Sequence, residues 1–86
     1  MSFSVYIIKC SSEVFYVGIS KDVSSRIRSH FNGYGSSVTR KYPPLKSYII
    51  KENLTEEEAK KIEKKLVISM KNKGMNAFGA AYTQVK

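Results

Sequence analysis

The spacing of apolar positions changes along the chain, and each change marks an element. Phe3 to Cys10 is rich in β-branched and aromatic residues and predicts a strand. Ser11-Ser12-Glu13 is a polar turn, and Val14 to Ile19 reads as a second strand, so the two form a β-hairpin. Gly18 inside that strand marks either a bulge or a close approach to the backbone. The period then becomes helical. Ser20-Lys21-Asp22 supplies starting residues, the helix runs from about Asp22 to Phe31, and Asn32-Gly33 ends it. Val23, Ile27 and Phe31 form its apolar stripe at about 100° per residue, with Arg26 and His30 together on one flank, half-buried, and Arg28 facing outward.

Residues 32–44 carry glycines and prolines but no helical period, which predicts a mobile loop from Asn32 to Ser37 leading into Thr39-Arg40-Lys41-Tyr42. A third strand follows at about Leu45 to Lys51, centred on Tyr48, Ile49 and Ile50. The second helix has the clearest start: Thr55 is a good N-cap, Glu58 completes a capping box, and Glu56 and Glu57 complement the helix dipole. Its stripe is expected to run Ala59, Ile62, Leu66, Met70, with Lys60, Lys61, Lys64 and Lys65 outside and Glu63 in rotation within the stripe. Gly74 is the expected C-cap. The tail Met75 to Gly79 is too apolar for a linker and should pack back. The expected fold is a single domain over residues 1–86, of mixed α/β (α+β) class, with one small sheet and flanking helices.

Charge adds a partner class. Fifteen Lys and Arg against seven Asp and Glu give a net +8 over 86 residues. Such a field favours polyanions, nucleic acid first among them. Arg28 and the loop basic residues Arg40 and Lys41, interleaved with tyrosine, suit phosphate and base contacts or, on the plainer reading, a solvated surface. One cysteine, Cys10, excludes an internal disulfide, and with one histidine it makes no zinc site. No apolar run reaches the ~20 residues of a membrane span, and no signal-peptide pattern opens the chain, so a cytoplasmic, reducing location is expected.

Several residues can carry chemistry. Tyr6 and Tyr16 occupy the same half of their strands near the start of the helix bearing Arg26 and His30. Phenol, guanidinium and imidazole together can orient, deprotonate and electrostatically complement a phosphodiester. A carboxylate in an apolar stripe is costly unless paired, so Glu63 is either a buried ion pair, with Arg26 or a lysine stem, or a functional group. One carboxylate suits Mg²⁺, which keeps most of its waters and takes other oxygens from a substrate phosphate. No second acid is well placed, which argues against a two-metal mechanism.

These residues resemble a known family. Val5-Tyr6 and Tyr16-Val17-Gly18, their tyrosines ten residues apart, look like the GIY-YIG nuclease motif. Arg26 lies eight residues after Gly18 and His30 four later, as that family's arginine and histidine do. Glu63 matches the family's metal-binding glutamate and Asn76 the asparagine near the end of its nuclease domain. Ser4-Val5-Tyr6 replaces Gly-Ile-Tyr, and Val17 replaces isoleucine.

The resemblance implies a three-stranded antiparallel sheet flanked by helices, in a small stand-alone member of the family. It also implies an endonuclease that hydrolyses DNA, with RNA the alternative, using Mg²⁺ or Mn²⁺ held on Glu63. Tyr6 would position or deprotonate the attacking water, with His30 or Tyr16 assisting. Arg26 would offset charge, and the ion would stabilise the departing 3′ oxygen and leave a 5′ phosphate. Tyr6, Tyr16, Arg26, His30 and Glu63 should then meet on one shallow basic face. Many relatives append a recognition domain, so low intrinsic specificity is expected, with a role in DNA repair or recombination. Two other readings stay open: an inactive nucleic-acid-binding module, and a nuclease subunit whose partner protein supplies specificity.

Overall fold

The structure is a computed structural model that describes residues 2–79; the single-domain expectation for 1–86 extends beyond these at both ends. Strand β1 (Phe3–Cys10) turns through one 3₁₀ turn (Ser11–Glu13) into β2 (Val14–Ser20), giving the expected hairpin. Helix α1 (Val23–Phe31), a short helix α2 (Ser37–Lys41), strand β3 (Pro44–Leu54), helix α3 (Glu56–Asn72) and strand β4 (Asn76–Gly79) follow. The strand order is β3-β1-β2-β4, with β1 antiparallel to both its neighbours and β2 parallel to β4. The class is α/β as expected, but the sheet has four strands and not three.

The fourth strand comes from the tail. Gly74, at φ +84°, takes the left-handed conformation that stops α3. Its N–H donates to Lys71 O at 2.9 Å and the Met75 N–H to Met70 O at 3.0 Å, so the last carbonyls of the helix are satisfied as the chain reverses. The next four residues then pair with the free edge of β2, from Val14↔Asn76 to Val17↔Gly79.

The period-two alternation of β1 and β2 divides the interior between the two faces of the sheet. Val5, Val17 and Ala77 pack with Leu54, Ala59, Val67 and Met70 under α3. Tyr6, Ile8, Cys10, Val14 and Tyr16 gather on the opposite face with Val38 of α2, and Val23 and Ile27 of α1 lie against them. Two helical stripes are rotated from the expected ones. In α1 the inward row is Val23, Ile27 and His30, while Phe31 is 44% exposed. In α3 the buried row is Ala59, Glu63, Val67 and Met70, with Ile62 and Leu66 half-buried. Both rows keep the three- and four-residue steps of a helix face, and each brings a polar residue inside.

The segment expected as a loop contains α2. Ser36 caps it, its hydroxyl accepting from the Thr39 N–H at 3.2 Å, and Val38 and Thr39 are buried. Five residues are too few to show a helical period, so capping and tertiary burial decide the matter. Strand β3 is longer than expected, and Tyr48, Ile49 and Ile50 at its centre are 41–47% exposed because it forms the sheet's edge.

The capping box at α3 forms as expected: Glu58 N–H donates to Thr55 Oγ1 at 3.1 Å, and Thr55 N–H to Glu58 Oε1 at 2.9 Å. Thr55→Ala removes one acceptor and should lower stability by about 1 kcal/mol. For a domain of this size that is a melting temperature roughly 4–8 °C lower. An unchanged melt would show that α3 is held by its core contacts alone.

Candidate active site

Pairing between β1 and β2 places Tyr6 opposite Gly18 and Ile8 opposite Tyr16, so the two tyrosines are diagonal neighbours on one face. Their ring centroids are 6.4 Å apart. A side chain at Gly18 would strike the Tyr6 ring, so the glycine serves as a close approach and not as a bulge. The β1–β2 register is unbroken through this point.

His30 completes the centre. Its Nε2 lies 2.8 Å from the Tyr6 phenol oxygen and its Nδ1 2.8 Å from Thr39 Oγ1. Its ring centroid is 4.9 Å from that of Tyr16. His30 is fully buried, which corrects the expectation of a half-buried rim residue; Arg26 is the exposed member of the pair. The imidazole fits because Gly35 has no side chain to collide with it. The Arg26 guanidinium donates to Gly35 O at 3.0 Å and so ties the loop to the helix.

Glu63 enters from α3. It is 2% exposed, and its Oε2 lies where a side chain on Gly79 would have to go. The three glycines are thus matched to three buried polar groups: Gly18 to Tyr6, Gly35 to His30, Gly79 to Glu63.

The charge states follow from burial and neighbours. Burial pushes the Tyr6 phenol strongly upward, and Tyr16 and Glu63 add to this. The charge of Arg26 and a hydrogen bond from it pull the other way without prevailing. Tyr16 is raised for the same principal reason, with Arg26 opposing and Glu63 assisting. His30 is lowered to about 4, first by burial and then by Arg26. Near neutral pH the centre therefore holds two protonated phenols beside a neutral imidazole. At Tyr6 desolvation outweighs the opposing charge of Arg26.

Tyr6, Tyr16, Arg26 and His30 meet on one side of the sheet, whereas Glu63 comes from α3 on the other, which corrects the expectation of a single face; its charge still acts on both phenols. The site is not the shallow face expected: Tyr6, Tyr16, His30 and Glu63 are each 3% exposed or less, and Arg26 alone reaches solvent. Asn76 lies apart, exposed at the start of β4 opposite Val14, while Tyr6 faces Gly18 four residues further along β2. Arg28 in the last turn of α1, and Arg40 and Lys41 in the last turn of α2, are exposed. Thr39 escaped the sequence reading because a threonine in a short polar segment gives no periodic signal.

Among the described residues, no three His, Cys, Asp or Glu side chains gather as a metal site. Glu63 offers a single carboxylate, a hard oxygen donor. It fits a hydrated dication that takes its remaining ligands from water and phosphate.

The depressed His30 sets a pH dependence. An unfolded imidazole takes up a proton below about 6.5, whereas the folded one does so only below about 4. Acid therefore favours the unfolded chain in that window. The His30 contribution is full above about 6.5 and is lost as pH falls towards 4, by up to ~3 kcal/mol. Denaturant melts at pH 7, 5.5 and 4.5 should show this loss in the wild type and a smaller one in His30→Gln. Equal losses in both proteins would contradict it.

Comparison with known proteins places this arrangement. Residues 2–76 match the family described as the GIY-YIG catalytic domain. A UPF0213 protein of Staphylococcus epidermidis is 37% identical over 59 residues, which is 69% of this chain and 72% of that protein. A UPF0213 protein of Neisseria meningitidis serogroup B is 37% identical over 49 residues, 57% of this chain and 54% of that one. One from Clostridium perfringens is 43% identical over 42 residues, 49% of this chain and 45% of that one. No solved structure is a significant match. With the tyrosines, arginine, histidine and glutamate assembled as described and the family matched over nearly the whole chain, this protein belongs to the GIY-YIG catalytic-domain family, a family of nucleases.

Proposed function

We propose that the chain is a divalent-metal-dependent endonuclease that hydrolyses phosphodiester bonds in DNA with low intrinsic sequence specificity. The observation that carries this reading is the Tyr6–His30 hydrogen bond of 2.8 Å, set beside Arg26 and within the field of Glu63. Tyr6 cannot wait as a phenolate, so it acts as a relay. As the attacking water bonds to phosphorus, its proton passes to the Tyr6 oxygen, and the Tyr6 proton passes to His30 Nε2. The P–O3′ bond then breaks, leaving a 5′ phosphate and a 3′ oxygen that takes a proton from solvent to become the 3′ hydroxyl. Burial is the larger cause of the depressed His30, but a substrate phosphate beside Arg26 offsets the smaller part due to that cation, making the imidazole a better acceptor when substrate is bound.

Arg26, the solvent-facing member, receives the phosphate and opposes the charge that builds on it. Tyr16 packs against His30 and holds the ring in place. Glu63 is the residue that would hold Mg²⁺ or Mn²⁺; when bound, the ion supplies Lewis-acid stabilisation of the departing oxygen. Asn76 has no part in the chemical step on this reading, because it lies outside the cluster. The net charge of +8 supports a polyanionic substrate.

Glu63→Gln keeps the shape of the side chain and removes the charge that holds a hard cation. It should abolish Mg²⁺-dependent cleavage of supercoiled plasmid while leaving melting and DNA binding nearly intact. If Glu63 were only a structural charge, stability would fall by on the order of 3–5 kcal/mol with cleavage retained; melts and cleavage on one preparation separate the two. RNA substrates run beside the plasmid test the choice of DNA, which preferential RNA cleavage would refute.

Arg28, Arg40 and Lys41 are assigned to sequence-independent phosphate contacts. Each alanine substitution should weaken binding about equally across DNA sequences and reduce the salt slope by about one. Loss of affinity for one sequence alone would refute that assignment.

A further inference from the structure

The hydrogen bonds around His30 continue past the imidazole. Nδ1 meets Thr39 Oγ1 at 2.8 Å; Thr39 Oγ1 has Ser36 O at 3.4 Å and Ser36 Oγ at 3.3 Å. Ser36 Oγ also accepts the Thr39 N–H, as the cap of α2. Thr39 is 1% exposed and His30 fully buried, so each proton in this chain needs a partner inside the protein.

A neutral imidazole carries one ring proton, and the two choices are not equivalent. With the proton on Nδ1, every donor is used: Tyr6 O–H to Nε2, Nδ1–H to Thr39 Oγ1, and Thr39 O–H to Ser36. With the proton on Nε2, the ring donates to the Tyr6 oxygen, and the buried phenol proton must turn away from its 2.8 Å partner. That second form also has no lone pair at Nε2, so it cannot take the Tyr6 proton.

We infer that Thr39 is a positioning residue: through His30 Nδ1 it fixes the tautomer in which Nε2 is open to Tyr6, and the short helix α2 exists in the site to present it. The role rests on the nuclease reading above. Thr39 touches neither the water nor the phosphate; it acts only through the ring. Helix α2 suits this purpose, because its Ser36 cap, Val38 and Thr39 face inward while Arg40 and Lys41 remain in solvent. One short element thus carries a buried hydroxyl and two exposed cations.

His30 is the chain's single histidine, so the ¹⁵N signals of its ring are unambiguous in protein labelled at histidine. The wild type at pH 7 should show a protonated Nδ1 and a bare Nε2. Thr39→Val, which keeps the shape and removes the acceptor, should shift the ring towards the Nε2-protonated form. It should also lower kcat for plasmid cleavage about 100-fold with KM little changed, and Thr39→Ser should restore both. A wild-type ring protonated on Nε2 overturns the inference, as does a Thr39→Val protein with full kcat. The wild-type spectrum needs no variant and decides the matter even if Thr39→Val does not fold. A chain with the Nδ1 tautomer that cleaves no nucleic acid overturns the nuclease reading instead, and with it the catalytic purpose given to Thr39.

Discussion

A neutral, fully buried imidazole bonded to a buried phenol is the constraint around which this small domain is built. His30 has no solvent to satisfy its two ring nitrogens, and Tyr6 and Thr39 satisfy them at 2.8 Å each. Unmade, either bond would cost on the order of 1–3 kcal/mol, a large fraction of the stability of a chain of 86 residues. Strand β1, helix α1 and helix α2 must therefore be in register with one another for any of them to be well placed. The same enclosure keeps the imidazole uncharged and the phenol protonated, so the interaction that orders the fold also sets the starting state for a proton relay.

Room for this centre comes from what the backbone omits. Gly18, Gly35 and Gly79 lie against Tyr6, His30 and Glu63, and a methyl group at any of them would collide with its polar neighbour or with the groups packed beside it. Two sit in strands and one in a loop, so the site is fixed on three sides by main chain. The helices supply Arg26, His30 and Glu63 from both faces of the sheet, and the charge of Glu63 still acts on the two phenols. A domain with one modest core can hold several buried polar groups in this way only because each has been given a matched space.

Much of this was legible from residue spacing. The hairpin, both long helices, the capping box at Thr55 and the odd position of Glu63 follow from local pattern, because each leaves a signature within a few residues. The resemblance to the GIY-YIG motif named the centre. Other features lie beyond local pattern. Helix α2 has five residues and is decided by the burial of Val38 and Thr39. The fourth strand depends on a free edge of β2 that no local pattern reveals. The inward turn of His30 was hidden because Phe31, next to it, looks like the natural core residue. Asn76 fits the family's order in sequence yet sits at the far end of β4, since position along the chain does not determine position across a sheet.

The central claim is that Tyr6 passes a proton to His30 during phosphodiester hydrolysis. Replacing Tyr6 by Phe removes one oxygen and leaves the ring over Gly18. The rate of plasmid cleavage with Mg²⁺ by wild type and by Tyr6→Phe, on preparations with matching melts, tests it most directly. The account predicts cleavage by the wild type and a loss of at least ~100-fold in the variant. A folded Tyr6→Phe protein that cleaves at the wild-type rate would contradict it.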